Sequence, residues 1–306
     1  MKRVLVTGAS GFIGRHLVRR MRSAGTHDVV VVPKGLDLRD RDAARRTLAG
    51  AGKLQYVVHA ADVGGDAEWA ASHAGTQLLA NSLMALHMLE AWREFQPQAR
   101  FVGLGSLWAY PEEIVEIVEE AYWSGRMHQP TEHYGLGKKL LGVGIQAMRR
   151  ENGLSGTMLV LGNVYGPGDK STRVIPSLIK RIRAAPPVLE VWGDGTEIRD
   201  FVYIDDQIAG ILRHLDYDGE LLNVTTGVYH SIRELVSALV RVMDYRGEIV
   251  YSAVKGLGVA SRRMSVMKAA SVTGWPGDYR LHALEEGLRM TVEATEESDD
   301  TWPKRL

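Results

Sequence analysis

Gly8, Gly11 and Gly14 stand three residues apart in Thr7-Gly8-Ala9-Ser10-Gly11-Phe12-Ile13-Gly14. The segment follows the apolar run Val4-Leu5-Val6 and opens an amphipathic stretch. Few folds tolerate that arrangement. Gly8 permits a tight turn, Gly11 lets backbone approach a ligand, and Gly14 lets a helix pack closely on a strand. Amides left open at a helix start attract anions. The turn, with Ser10, Phe12 and Ile13 among its glycines, is therefore read as a cradle for a dinucleotide pyrophosphate. Beyond it Ile13, Leu17 and Met21 recur every four residues, while Arg15, Arg19 and Arg22 can face water.

The same alternation continues for about 160 residues. Apolar runs Val29–Val32, Tyr56–Val58, Phe101–Leu104 and Met158–Leu161 are separated by helical patterns. Continuously apolar strands imply burial on both faces, as in a parallel sheet covered by helices. The expected fold is α/β, a doubly wound parallel sheet of Rossmann type with a smaller C-terminal substrate-binding lobe. Residues 1–162 form the dinucleotide-binding domain, with 200–226 returning to it. Residues 163–199 and 227–293 form the lobe, where Gly and Pro punctuate the pattern, and 294–306 form a flexible tail. Ser231, with Glu234 three residues on, predicts a capped helix to Met243.

Composition narrows the function. Lys+Arg and Asp+Glu both number 37, so no basic field invites nucleic acid or an anionic membrane. The chain lacks cysteine, which excludes disulfides and thiolate catalysis. No apolar run approaches the roughly 20 residues of a membrane span, and the first strand begins too early for a signal peptide. A cytoplasmic protein with a small-molecule substrate is expected.

The second strand ends Val32-Pro33-Lys34 with no acid before Asp37. An acid there would bind the ribose 2′-hydroxyl of NAD. Lys34 instead suits a 2′-phosphate, so NADP(H) is the favoured cofactor, with Asp37 and Leu38 near its adenine. Tyr134 and Lys138 are four residues apart and share one helix face. An ammonium beside a phenol favours the phenolate, and the pair is expected to lower the Tyr134 pKa and pass a proton to a carbonyl. Ser106 ends the fourth strand, where ligands bind in such sheets, and its hydroxyl can orient that carbonyl. Asn81, on the helix before that strand, is a candidate for ordering the helix near the site.

Together these motifs resemble the extended short-chain dehydrogenase/reductases that act on nucleotide sugars, over about residues 1–290. Within them the chain is most similar to the GDP-4-keto-6-deoxymannose epimerase/reductases. The resemblance rests further on Ala60-Ala61-Asp62-Val63-Gly64-Gly65, Tyr110-Pro111, Asn163-Val164-Tyr165-Gly166-Pro167, Val174-Ile175-Pro176, Val191–Thr196, Arg199-Asp200-Phe201 and Val202–Asp206. It implies that Ser106, Tyr134 and Lys138 are catalytic and that NADPH is the donor. It implies that Ala60, Ala61 and Val63 border the cofactor, and that Lys138 also binds the nicotinamide ribose. Arg199 would contact substrate, Arg262 or the adjacent Arg263 its diphosphate, and Asn163, Val191 and Trp192 would line the nucleotide and sugar pocket. A homodimer built from the helices around 80–93 and 134–150 is also implied.

Two positions depart from that subgroup. Its epimerisation base and acid, a cysteine and a histidine, are here Trp108 and Arg173. Neither side chain exchanges protons readily, and both are expected to border the substrate instead. His128 and His133 lie near the active-site helix and read as solvated. The expectation is reduction of the C4 ketone of a nucleotide-linked 4-keto-6-deoxyhexose without 3,5-epimerisation. The alternatives are a full epimerase/reductase, an NAD-dependent sugar 4-epimerase and a non-catalytic cofactor-binding sensor.

Overall fold

The computed structural model describes residues 1–64, 67–169, 173–252 and 261–297. Gly65, residues 170–172 between Gly166 and Val174, and the tail from 298 onward lie outside them. Six parallel strands form the central sheet: β1 (Lys2–Thr7), β2 (His27–Val31), β3 (Tyr56–His59), β4 (Arg100–Ser106), β5 (Gly156–Leu161) and β6 (Leu221–Val224). Their spatial order is β6-β5-β4-β3-β1-β2. Val4 is aligned with both Val29 and Tyr56, so β1 lies between its own successor and β3. The strand order reverses there, which opens a crevice at the C-terminal strand ends.

Alternation along each strand divides the core. Val4, Val6, Tyr56, Val58, Val102, Leu104, Leu159 and Leu161 pack into one apolar cluster, and Leu5, Val57, Phe101, Met158 and Val160 into another. Successive side chains of a strand point to opposite faces, so the continuous apolar runs supply both. Helices α1 (Phe12–Ser23) and α5 (Ile204–Arg213) cover the first face; α2 (Arg41–Gly50), α3 (Ala74–Phe95) and α4 (Glu132–Asn152) cover the second. The exception is β2. It was expected to be buried on both faces, yet it is only half-buried, because it is the sheet's edge and has one neighbour.

β6 pairs with β5, which brings the chain back to the sheet after residue 200. Outside the sheet the chain forms small pairings, among them Val188–Trp192 with Glu248–Ser252. Ser231 caps helix Ile232–Val242 in a reciprocal capping box with Glu234, as expected. The last helix, Leu284–Glu297, extends past the predicted start of the tail. Leu284, Leu288 and Val292 recur every four residues on its buried side and pack into the core, which carries the helix beyond Glu293.

Candidate active site

The glycine turn meets the loop that leaves β3. A Cβ on Gly8 would come within 2.6 Å of the Ala60 carbonyl and the Ala61 nitrogen, and Gly8 has φ +65°. A Cβ on Gly14 would lie 2.1 Å from the Gly8 oxygen. Both glycines are thus required by close approach. Gly11 is the N-cap of α1 and offers no capping side chain, and the first turn carries no acid. The helix start is open to an anion, which fits a dinucleotide pyrophosphate.

The exit loop Ala60–Val63 is held from two sides. The Ala60 and Ala61 amides donate to the Thr7 hydroxyl at 3.1 and 3.0 Å. That hydroxyl lies 2.9 Å from His59 Nδ1. Burial lowers His59 to about 3, so the ring is neutral and can accept the Thr7 proton. Farther along, the Val63 amide donates to Asn81 Oδ1 at 2.8 Å, and Asn81 Nδ2 donates to the Val63 carbonyl at 2.9 Å. Gln77 adds a third bond to that carbonyl at 3.0 Å. Asn81 therefore orders this loop as well as its helix.

Tyr134 and Lys138, one turn apart on α4, converge on Asp62 in the middle of that loop. The phenol donates to Asp62 Oδ2 at 2.9 Å, and Lys138 Nζ lies 3.3 Å from the same oxygen. Lys138 also donates to the Leu104 carbonyl at 3.1 Å and sits 5.5 Å from the Tyr134 ring centre. Ser106 receives the Trp108 amide at 3.3 Å, and its hydroxyl faces the phenol. Here the expectation of a lowered tyrosine is overturned. Burial raises the Tyr134 pKa well above the ordinary 10, and Asp62 adds to it by charge and hydrogen bond. Ser106 and the charge of Arg173 oppose this and do not prevail. The sequence reading credited Lys138 alone and missed Asp62. Its only signal was position, directly after a strand end at the ligand side of the sheet.

Lys34 is exposed in the turn after β2, where it can meet a coenzyme phosphate. Asp37 is held by Arg39 at 2.6 Å. Leu38 is 4% exposed and packs with Ala44 and Leu48, so it belongs to the core and not to an open adenine face.

The expected substrate residues divide. Asn163 donates to Asp200 Oδ1 at 2.8 Å, beside Arg199, which is half-buried and donates to the Ile198 carbonyl. Arg173 pairs with Asp169 at 2.9 Å. Trp108 lies under the Arg262 guanidinium, 5.8 Å from it, and 6.0 Å from the His128 ring. Trp192 is exposed at its strand end, whereas Val191 points into the core and lines no open pocket. Arg262 is closed off from solvent. It is buried, with its guanidinium on the carbonyls of Leu107, Tyr110 and Pro111. A buried cation is held where carbonyls can surround it. Arg263 pairs with Glu116 at 2.6 Å. His128 and His133, expected to be solvated, are both buried. His128 pairs with Glu112 at 2.9 Å.

Comparison with known proteins places this geometry in context. Residues 4–225 match the NAD dependent epimerase/dehydratase family. The chain is 29% identical to a GDP-L-fucose synthase of Sinorhizobium fredii, over 96% of this chain and 95% of that protein. It is 28% identical to a dTDP-4-dehydro-6-deoxy-D-allose reductase of Streptomyces bikiniensis, over 94% of each. A solved GDP-mannoheptose C4 reductase of Campylobacter jejuni, with NADP bound, superposes with a TM-score of 0.85 at 20% identity, covering 96% of this chain and 98% of that one.

Proposed function

The chain belongs to the NAD dependent epimerase/dehydratase family, and from that premise we propose that it reduces the C4 ketone of a nucleotide-linked 4-keto-6-deoxyhexose with NADPH. The observation that carries this reading is the meeting of Ser106, Tyr134 and Lys138 beside the glycine turn, at the C-terminal ends of β3 and β4. Reductases of nucleotide-linked keto sugars among the relatives support the substrate class.

Bound NADPH supplies the hydride for the carbonyl carbon. Tyr134 gives its phenolic proton to the carbonyl oxygen as negative charge develops there, and Ser106 orients that oxygen. Lys138 offsets the charge of the phenolate left behind. The glycine turn and the start of α1 hold the pyrophosphate, and Lys34 distinguishes the phosphorylated coenzyme. Arg199 and Asn163 lie on the substrate side. Guanidinium groups suit a diphosphate through paired hydrogen bonds, and Arg173, at the surface, is better placed for it than the enclosed Arg262.

The 3,5-epimerisation of GDP-L-fucose synthases is excluded from this reading. Trp108 carries no exchangeable proton of suitable acidity, and Arg173 stays protonated. Trp108, with Arg262 over its ring, serves as a wall. The protein is proposed to act as a homodimer.

The test is to incubate purified protein with NADPH and a panel of GDP- and dTDP-4-keto-6-deoxyhexoses in deuterated water, then assign each product by NMR. Oxidation of NADPH with deuterium absent from C3 and C5 is expected. Deuterium at either carbon would restore epimerisation, and no NADPH oxidation with any sugar would remove the reductase reading.

A further inference from the structure

Asp62 is the acid that meets both the phenol and the ammonium of the site. Its neighbours on both sides are pinned: Ala60 and Ala61 to Thr7, Val63 to Asn81 and Gln77. The loop therefore has little freedom to withdraw the carboxylate. One oxygen, Oδ2, serves both the Tyr134 phenol and the Lys138 ammonium. A carboxylate there is not needed to hold α4 in place, because that helix packs on the sheet through Leu141 and Ile145. Its side chain retains 26% exposure, so it is not a structural ion of the interior.

We propose that Asp62 is a positioning residue that keeps Tyr134 in its proton-donor form by accepting the phenolic hydrogen and sharing the charge of Lys138. The inference rests on the reductase reading for its purpose, but its geometry is independent of which sugar is reduced. The phenol faces four groups: Asp62 from the loop after β3, Lys138 from its own helix, Ser106 from the end of β4, and Arg173 from the start of helix Val174–Arg183. His59, near Lys138, is neutral and adds no charge. Only Asp62 among them opposes ionisation of the phenol by charge. Lys138 and Arg173 would otherwise promote it. Reduction needs the phenol and not the phenolate, so its rate falls as pH rises through the Tyr134 pKa. Burial already moves that fall to higher pH, and Asp62 moves it further, so the protein keeps a competent acid through neutral and mildly alkaline conditions.

The experiment compares the chain with Asp62→Asn, Asp62→Ala and the conservative Asp62→Glu. Tyrosinate absorbance is titrated first, on protein without substrate. Removing the carboxylate is expected to make one additional tyrosine ionise about one pH unit or more lower. That tyrosine should vanish from the titration of Asp62→Asn combined with Tyr134→Phe, and Asp62→Glu should restore the original curve. The second readout is the pH profile of reduction. Its alkaline fall should move down by the same interval in Asp62→Asn and Asp62→Ala. Titrations of the chain and of both charge-removed variants that superimpose would overturn the proposal. A shifted titration with no sugar reduced would uphold Asp62's role while removing the reductase reading.

Discussion

Asn81 and Val63 are joined twice, amide to carboxamide oxygen at 2.8 Å and carboxamide nitrogen to carbonyl at 2.9 Å. The bonds tie α3 to the loop carrying Asp62, so a helix residue outside the crevice fixes the height of that carboxylate over Tyr134. Replacing Asn81 with Ala leaves the Val63 amide unpaired and weakens the hold on its carbonyl. Each lost bond costs about 0.5–1.5 kcal/mol. A total loss of about 1–3 kcal/mol in urea unfolding is expected, with NADPH affinity lowered by isothermal calorimetry. Unchanged stability and unchanged affinity would show that the double bond is incidental.

Removal of the Tyr134 hydroxyl should separate chemistry from binding. Tyr134→Phe keeps the ring and the packing of α4, and it removes the phenolic proton donor that faces Ser106. General acid catalysis contributes about 10²–10⁴-fold, so the rate of NADPH-dependent reduction should fall by that order. NADPH affinity should stay within about threefold, or ~0.7 kcal/mol. A variant that retains full turnover would mean that a different group, or water, supplies the proton.

The parts of this architecture that repeat locally were readable from the chain. Five apolar runs became strands of the sheet, four of them because burial on both faces leaves no polar position in between, the fifth, β2, at the half-buried edge. Tyr134 and Lys138 were paired by helical spacing, and given a role by Ser106 at a strand end before them and by the opening glycine turn. What could not be read depends on contacts distant in sequence. Asp62 stands in a run read only for its family resemblance, and the partner that gives the acid meaning lies 72 residues later. Arg262 failed for a related reason. A guanidinium in a sequence carries no record of whether it will meet phosphate or three backbone carbonyls, and here it meets carbonyls. Leu38 and Val191 were assigned to pockets by position in a motif, but their burial was decided by packing from other elements.

Asp200 links stability to pH. It is 1% exposed, and burial raises its carboxyl from 3.8 to about 6 against the hydrogen bonds of Asn163 and Thr225. The folded chain thus holds this proton through a range where the unfolded chain has released it. Stability contributed here is present below about 4 and is lost as pH rises to about 6. The loss is roughly 3 kcal/mol at about 1.4 kcal/mol per pH unit. Surface carboxylates such as Asp37 and Asp218, lowered to about 2 by their arginine partners, act in the opposite sense at lower pH. Unfolding free energies of the chain and of Asp200→Asn, measured between pH 4 and 7, isolate the buried group. The difference between them should change across that interval, and parallel curves would refute the assignment.

Helices α3 and α4 pack side by side and leave an apolar stripe on their outer surface. Leu79, Leu83 and Leu86 on α3 are 64%, 39% and 48% exposed, and Leu136 and Val143 on α4 are 46% and 45% exposed. The spacings of four, three and seven residues place each set along one helix face. Water-facing apolar side chains grouped on two adjacent helices are costly unless covered. A second copy of the chain presents the same stripe, and a twofold axis would bring four helices together. Sedimentation velocity should therefore give the mass of a dimer at micromolar concentration. Leu79→Glu combined with Leu83→Glu places charge in the centre of the stripe and should shift the boundary to a monomer, with the circular dichroism of the fold retained because both positions are outside the core. A chain that sediments as a monomer before any substitution would show that the stripe has another use.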